Sequence, residues 1–417
     1  MNKQMSIISK ISQKSDNKIL FLVADGLGGM CHPDYGEKSE LQYANLPAFD
    51  AFVANPHTDT GLIYPVIRGV IPGSGSGHFG LFGYDPTEPE FMVGRGALEA
   101  ADLEPGLVQK SDIVARFNFC TMSADGTVAD RRAGRISNGE KFAEMINSQV
   151  KVDGYDFNVI ATKGYRGVLV IRDPMSQLSD EITDTDPQKE GRPLNVSTPR
   201  PNAKNIEAAE KTAKFVNEFN RQVTEVLRKE ELVNGLVIRG FSKFPTLPRF
   251  NDIYSTRSIA IASFPFYRGI AYLLDMDIAH GCMTFEDQIA ALKDNYDKYD
   301  FFFLHYKDSD CRGEDKNFLG KVQALEYLDS KLNEILSLGF DTVVVTGDHS
   351  TPSYLGAHSH HAVPLAIYSK RNRGFDTSDK FDELTFSKGY LGTVYGNDLM
   401  MMVLAAAGRL AKSGDFI

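Results

Sequence analysis

The chain reads as an α/β protein: a largely parallel sheet flanked by helices, with a smaller α+β domain inserted into it. Two observations predict this. First, three short apolar runs far apart in the chain end in metal-type residues. Residues 19–24 run into Asp25 and Gly26, residues 301–305 into a loop with Asp308 and Asp310, and residues 342–346 into Gly347, Asp348 and His349. Short apolar runs bounded by turn residues mark buried parallel strands. Ligands in such sheets collect beyond the carboxyl ends of the strands, so carboxylates and a histidine at three such ends can converge on divalent metals. Second, the pattern changes between about Asp112 and Asn251, where strand-like stretches mix with polar loops and none of the proposed metal ligands occurs.

The elements follow in order. Residues 1–17 mix Lys, Gln, Ser and Ile without the apolar stretch of a signal peptide and are expected to form a flexible extension. After the first strand comes a glycine-rich turn, residues 71–78, predicted to open a helix over 77–82. Glycines let the backbone turn sharply, and a helix start offers unpaired N–H groups to an anion. Ser74 in that turn is a hydroxyl that a metal can activate as a nucleophile. Strands are expected near 114–122, 168–172 and 236–239. A long amphipathic helix is expected near 206–228, with Ala209, Ala213, Val216, Phe219, Val223 and Leu227 on one face. A helix over 322–336, closed by Gly339, leads into the Thr342 run. The expected domains are 18–107 with 256–417, carrying the metal residues, and 108–255, carrying Arg116, Arg131, Arg132, Arg135, Arg166 and Arg239.

Composition narrows the function. At 417 residues the chain is long enough for two domains, and its 42% hydrophobic and 24% charged content is that of a soluble globular protein. A net charge of −10 argues against nucleic acid or an anionic membrane as partner. A small anionic substrate stays compatible, because metals and arginines reverse the potential locally. No apolar run is long enough to cross a membrane. Four scattered cysteines, Cys31, Cys120, Cys282 and Cys311, without a C-x-x-C pair, fit a cytoplasmic setting.

The strings Ala24-Asp25-Gly26-Leu27-Gly28-Gly29, Pro72-Gly73-Ser74-Gly75-Ser76-Gly77-His78, Gly94-Arg95-Gly96-Ala97-Leu98-Glu99-Ala100, Asp130-Arg131-Arg132-Ala133-Gly134-Arg135-Ile136, Asp184-Thr185-Asp186-Pro187 and Thr346-Gly347-Asp348-His349-Ser350-Thr351-Pro352 resemble the archaeal-type 2,3-bisphosphoglycerate-independent phosphoglycerate mutases. These belong to the alkaline phosphatase superfamily, and the likeness runs from about residue 18 to residue 403. It implies an alkaline-phosphatase-like core and interconversion of 3-phosphoglycerate and 2-phosphoglycerate through a phosphoserine at Ser74. It implies two divalent metals, with manganese usual and magnesium, cobalt or zinc alternatives, and no 2,3-bisphosphoglycerate. One metal site would use Asp25, Ser74, Asp348 and His349, the other Asp310, the position four residues later, and His358. The inserted domain would bind a small phosphorylated carboxylic acid, with Arg131, Arg132 and Arg135 leading and Arg166 and Arg239 as further candidates. Asp184 and Asp186 would serve as acid or base, and Arg268, outside the inserted domain, is a further substrate-binding candidate.

Two positions depart from the family pattern. Glu314 stands where the metal-binding histidine is usual, and Arg268 where lysine is usual. A carboxylate is a harder ligand than imidazole, and arginine keeps the charge but changes donor geometry. The departures keep open a relative acting on another phosphorylated or phosphonylated acid, as mutase or phosphohydrolase, and a non-catalytic homologue. His78 is expected to brace the nucleophile loop and His305 to stand behind a metal ligand, His360 and His361 lie beside the matched His358, none of the four is expected to bind metal, and a homo-oligomer is left open.

Overall fold

The computed structural model describes residues 3–412 except 102, 104–106, 110 and 163. The chain divides into two compact units, Met1–Met92 with Leu247–Ile417, and Val93–Thr246. The second unit thus begins and ends earlier than the expected 108–255.

An eight-stranded sheet forms the first unit. Its strands lie in the order Gly392–Tyr395, Thr58–Tyr64, Val363–Ser369, Thr342–Thr346, Ile19–Ala24, Phe301–Tyr306, Ser258–Ile261 and Asp277–Ile278. The four from Thr342–Thr346 to Ser258–Ile261 run parallel, whereas Val363–Ser369 is antiparallel to both its neighbours. Ile19–Ala24 lies in the middle and all six of its residues are buried, which is why that run is apolar throughout rather than alternating. Val23 stands opposite His305 on one side and Thr346 on the other. The register therefore releases Asp25, the Lys307–Asp310 segment and the Gly347–His349 segment at one level of the sheet.

Three local expectations are corrected. Lys3–Ile11 is a helix, not a loose extension. Met5, Ile8 and Ile11 recur every third residue and are buried, so one helical face packs on the protein, with the Phe250–Tyr254 helix as a neighbour. The segment with Asp308 and Asp310 is helix Asp308–Glu314 rather than loop. The helix after the glycine-rich turn begins at Ser74, not at Gly77, and runs to Leu81.

The second unit is an antiparallel sheet against helices. Ile113–Met122 pairs with Val128–Asp130, Arg166–Ile171 and Gly235–Lys243, and Phe157–Ala161 pairs with Arg166–Ile171. Helix Ile206–Leu227 starts where the Asn205 side chain accepts from the Ala208 N–H at 3.0 Å. It buries Ala209, Ala213, Val216, Phe219, Val223 and Leu227, the stripe the sequence predicts. Each buried Phe or Val of this core stabilises the unit by about 1.5–3 kcal/mol.

Candidate functional site

Four segments of the first unit meet beyond the strand ends. Asp25 follows the central strand, and its N–H donates to the Tyr306 carbonyl at 2.8 Å. Asp348 and His349 follow Thr342–Thr346. Ser74 opens its helix, and Asp310 sits in the first turn of Asp308–Glu314. Two glycines permit this closeness. A Cβ on Gly77 would lie 2.2 Å from the Asp348 carbonyl oxygen. Gly26 has φ +61°, and a Cβ there would lie 2.6 Å from Thr351 Oγ1 and 2.7 Å from Asp310 Oδ1.

His349 Nε2 is the centre of one group. It lies 3.3 Å from Ser74 Oγ, 3.3 Å from Asp25 Oδ1 and 3.2 Å from Asp348 Oδ2. Asp25, Asp348 and His349 are fully buried, and Asp25 Oδ1 and Asp348 Oδ2 have no hydrogen-bond partner. Buried carboxylate oxygens converging on an imidazole nitrogen repel one another unless a cation lies among them. The donor set of two carboxylates, imidazole and hydroxyl is that of a divalent metal site. Asp310, His349 and His358 are a second set of mutually close ligand atoms. There His358 Nε2 is 3.8 Å from Asp310 Oδ1 and 3.6 Å from Glu314 Oε1. Asp310 and Glu314 are four residues apart in one helix and so share a face. The Glu314 side chain remains 55% exposed and lies outside the compact three-ligand group.

A layer of donors backs the carboxylates. Lys307 Nζ donates to Asp25 Oδ2 at 3.0 Å and to Asp310 Oδ2 at 2.6 Å, while the Tyr267 hydroxyl also donates to Asp25 Oδ2. Lys307 and Tyr267 thus take the Oδ2 atoms and leave Oδ1 of both aspartates toward the histidines. Burial alone would push the Asp25 carboxyl up, but His305, Lys307 and His349 together hold it well below the usual carboxylate range. Burial would likewise lower the Lys307 pKa, yet Asp25, Tyr267 and Asp310 raise it, so the ammonium stays charged. His305 stacks on Tyr267 with ring centroids 3.7 Å apart and lies 3.2 Å from Asp25 Oδ2. His78 Nδ1 gives its proton to the Ser74 carbonyl at 2.8 Å and lies 3.2 Å from Asp348 Oδ2. His360 and His361 stack on each other, and His361 Nδ1 contacts Ser359 Oγ.

The predicted substrate residues divide. In the second unit Asp186, which is buried, receives Arg131 on both oxygens at 3.0 and 2.6 Å, with Arg239 Nη1 at 3.5 Å. That carboxylate is committed to orienting arginines. Asp184 Oδ1 accepts from the Gly240 N–H at 2.8 Å. Arg239 stands directly opposite Arg116 across the strand pair. Arg132, Arg135 and Arg166 are exposed, and Arg166 lies along the Tyr165 ring. Arg268, in the first unit, donates to the Ser263 carbonyl at 2.8 Å. Residue-by-residue reading missed Tyr267, Lys307, Lys321 and Thr351. Lys307 alone carried a signal, as a basic residue three positions before Asp310.

A mixed α/β sheet with two carboxylate–histidine groups beyond its strand ends defines a class, the α/β proteins whose strand ends are built to hold divalent cations. The model for 2,3-bisphosphoglycerate-independent phosphoglycerate mutase matches residues 56–233. Proteins described as probable 2,3-bisphosphoglycerate-independent phosphoglycerate mutases are similar over the whole length. One from Thermotoga neapolitana is 41% identical, covering 99% of this chain and 100% of its own. One from Thermus thermophilus is 40% identical, covering 98% of each. Among solved structures, the cofactor-independent phosphoglycerate mutase of Thermoplasma acidophilum is 26% identical with a TM-score of 0.68, covering 94% of this chain and 100% of that one. A Pyrococcus horikoshii protein with a TM-score of 0.79 and 24% identity, covering 95% and 98%, shares the fold. The chain belongs to the 2,3-bisphosphoglycerate-independent phosphoglycerate mutase family. Among the described residues no helix is long and apolar enough to cross a membrane.

Proposed function

We propose that this protein interconverts 3-phosphoglycerate and 2-phosphoglycerate without 2,3-bisphosphoglycerate, through a phosphoserine at Ser74. The observation that carries the reading is Ser74 Oγ 3.3 Å from His349 Nε2, within a cluster of buried acceptors, in a chain of this family. Asp25, Ser74, Asp348 and His349 would hold one divalent ion, and Asp310, Glu314 and His358 a second. Manganese is the first candidate, since the donors are oxygen-rich. When bound, such ions supply positive charge that lowers the serine pKa and neutralises phosphoryl oxygens.

The chain's own residues do the rest. Ser74 Oγ forms a bond to phosphorus as the bond from phosphorus to the substrate oxygen breaks, and that oxygen takes a proton. The other hydroxyl of the retained acid then attacks the phosphoserine, loses its proton and restores Ser74. Lys307 and Tyr267 fix the Asp25 carboxylate, and His78 fixes the Ser74 carbonyl through its Nδ1 proton. Arg131 and Arg239, aligned by Asp186, are the candidates for the substrate carboxylate, which guanidinium forks bind well.

The test is conversion of 3-phosphoglycerate with Mn²⁺ and no bisphosphoglycerate, with free phosphate measured in parallel. Accumulation of 2-phosphoglycerate without phosphate release supports the proposal. A second reading, a relative that hydrolyses or isomerises another phosphorylated acid, draws on the half-exposed Glu314. It prevails if phosphoglycerate is inert and another phosphorylated acid is turned over.

A further inference from the structure

His349 is compatible with both metal groups, yet one imidazole cannot face two separate ions with the same lone pair. We infer that the Thr351 hydroxyl decides between them, and that it couples the two groups as a positioning residue. Thr351 is fully buried. Its Oγ1 donates to Asp310 Oδ1 at 2.6 Å and contacts His349 Nδ1 at 2.9 Å. A hydroxyl has one proton, and the short bond from Oγ1 to Asp310 Oδ1 uses it. The proton therefore goes to Asp310, and His349 Nδ1 must carry its own proton and donate it to Thr351. His349 Nε2 is left as the ring's one lone pair, facing Ser74, Asp25 and Asp348. One hydroxyl thus assigns His349 to the first group and orients the Asp310 carboxylate of the second.

Thr351 is fixed in place from three directions. Lys321, buried in helix Phe318–Leu336, donates to the Thr351 carbonyl at 2.9 Å and to the Gly26 and Gly28 carbonyls at 2.8 and 3.0 Å. These three acceptors use all the protons of an ammonium. Lys321 so ties the loop after Asp25 to the loop after His349, as a bound cation would. A Cβ on Gly313 would lie 2.3 Å from the Thr351 carbonyl oxygen, and one on Gly26 would lie 2.6 Å from its hydroxyl, so both glycines let their backbones close on this residue. Ligand positioning by such partners is worth roughly 10–100-fold in metal affinity.

The inference rests on the reading of both clusters as metal sites, so metal binding is measured apart from turnover. Calorimetric titration of the chelator-stripped protein with Mn²⁺ compares wild type, Thr351→Val and Thr351→Ser. The expected result is two sites in wild type, both weakened at least about 10-fold in the valine variant, and near-wild-type affinity restored by serine. Weakening of one site alone, of neither, or of both without rescue by serine overturns the role of Thr351. Absence of any binding by wild type instead sinks the metal reading itself. A second measurement needs no Thr351 variant. ¹⁵N–¹H correlation of the metal-free wild type, with His349 identified by loss of its signals in His349→Gln, should show the ring proton on Nδ1. A ring whose Nδ1 carries no proton overturns the inference.

Discussion

His358 gives its Nδ1 proton to the carbonyl of Pro72, 2.8 Å away and two residues before Ser74. The bond leaves His358 Nε2 toward Asp310 and Glu314. It also ties the group of Asp310, His349 and His358 to the backbone that presents Ser74. His358→Ala should therefore lose one of two bound Mn²⁺ and loosen the glycine-rich turn. Hydrogen exchange of residues 70–77 should accelerate in the variant even without metal. Unchanged exchange there would show that the Pro72 bond is not a tether.

Ser74→Ala should abolish transfer while leaving stability within about 0.5 kcal/mol of wild type, since it removes one half-buried hydroxyl at a helix start. Trapping wild type with substrate should yield a phosphopeptide containing Ser74. Label confined to Ser76, or turnover retained by the alanine variant, contradicts the assignment.

Glu314 stands 3.6 Å from His358 Nε2. Glu314→Gln should weaken one of two Mn²⁺ sites, and Glu314→His should shift preference toward Zn²⁺, because imidazole is softer than carboxylate. Metal titration of both variants checks this. Equal binding of both ions by the glutamine variant would remove Glu314 from the ligand set.

Lys321 is a buried ammonium whose pKa burial pushes down, against the opposing carboxylates of Glu40 and Glu383. Lys321→Met leaves the Gly26, Gly28 and Thr351 carbonyls without this donor. The variant should lose about 3 kcal/mol in urea unfolding, the lower end for breaking a buried charged network. A loss below about 1 kcal/mol would mean the loops re-pair by themselves.

Cys120 supplies the pH prediction. Burial, with lesser contributions from Asp186 and Asp130, pushes its thiol up to about 12. Its folded pKa is raised, so its contribution to stability is complete below the ordinary thiol pKa and is lost as pH climbs toward the folded value. The stability difference between wild type and Cys120→Ala should therefore shift against wild type from about pH 9 upward. At pH 8 a thiol reagent should label exposed Cys31 while Cys120 stays unmodified until the protein unfolds. Rapid labelling of Cys120 in the folded protein would contradict its burial.

The chemistry of the site was legible in the chain because it sits at the ends of apolar runs. A run such as Ile19–Ala24 is a local property, and burial on both faces of a parallel strand demands it. Asp25, Asp310, Asp348 and His349 could be found from that rule and Ser74 from its glycines. The stripe of Ile206–Leu227 could be found from its period. Short local patterns served less well where packing decides. The Lys3–Ile11 helix has its apolar residues every third position but needs the rest of the first unit to bury them. The tertiary structure alone decided which atom faces which. Lys307 reaches Asp25 across 282 positions and Lys321 reaches Gly26 across 295. Thr351 selects the nitrogen that His349 presents. Such choices depend on donors and acceptors brought together by sheet register, and a one-dimensional pattern carries no record of them.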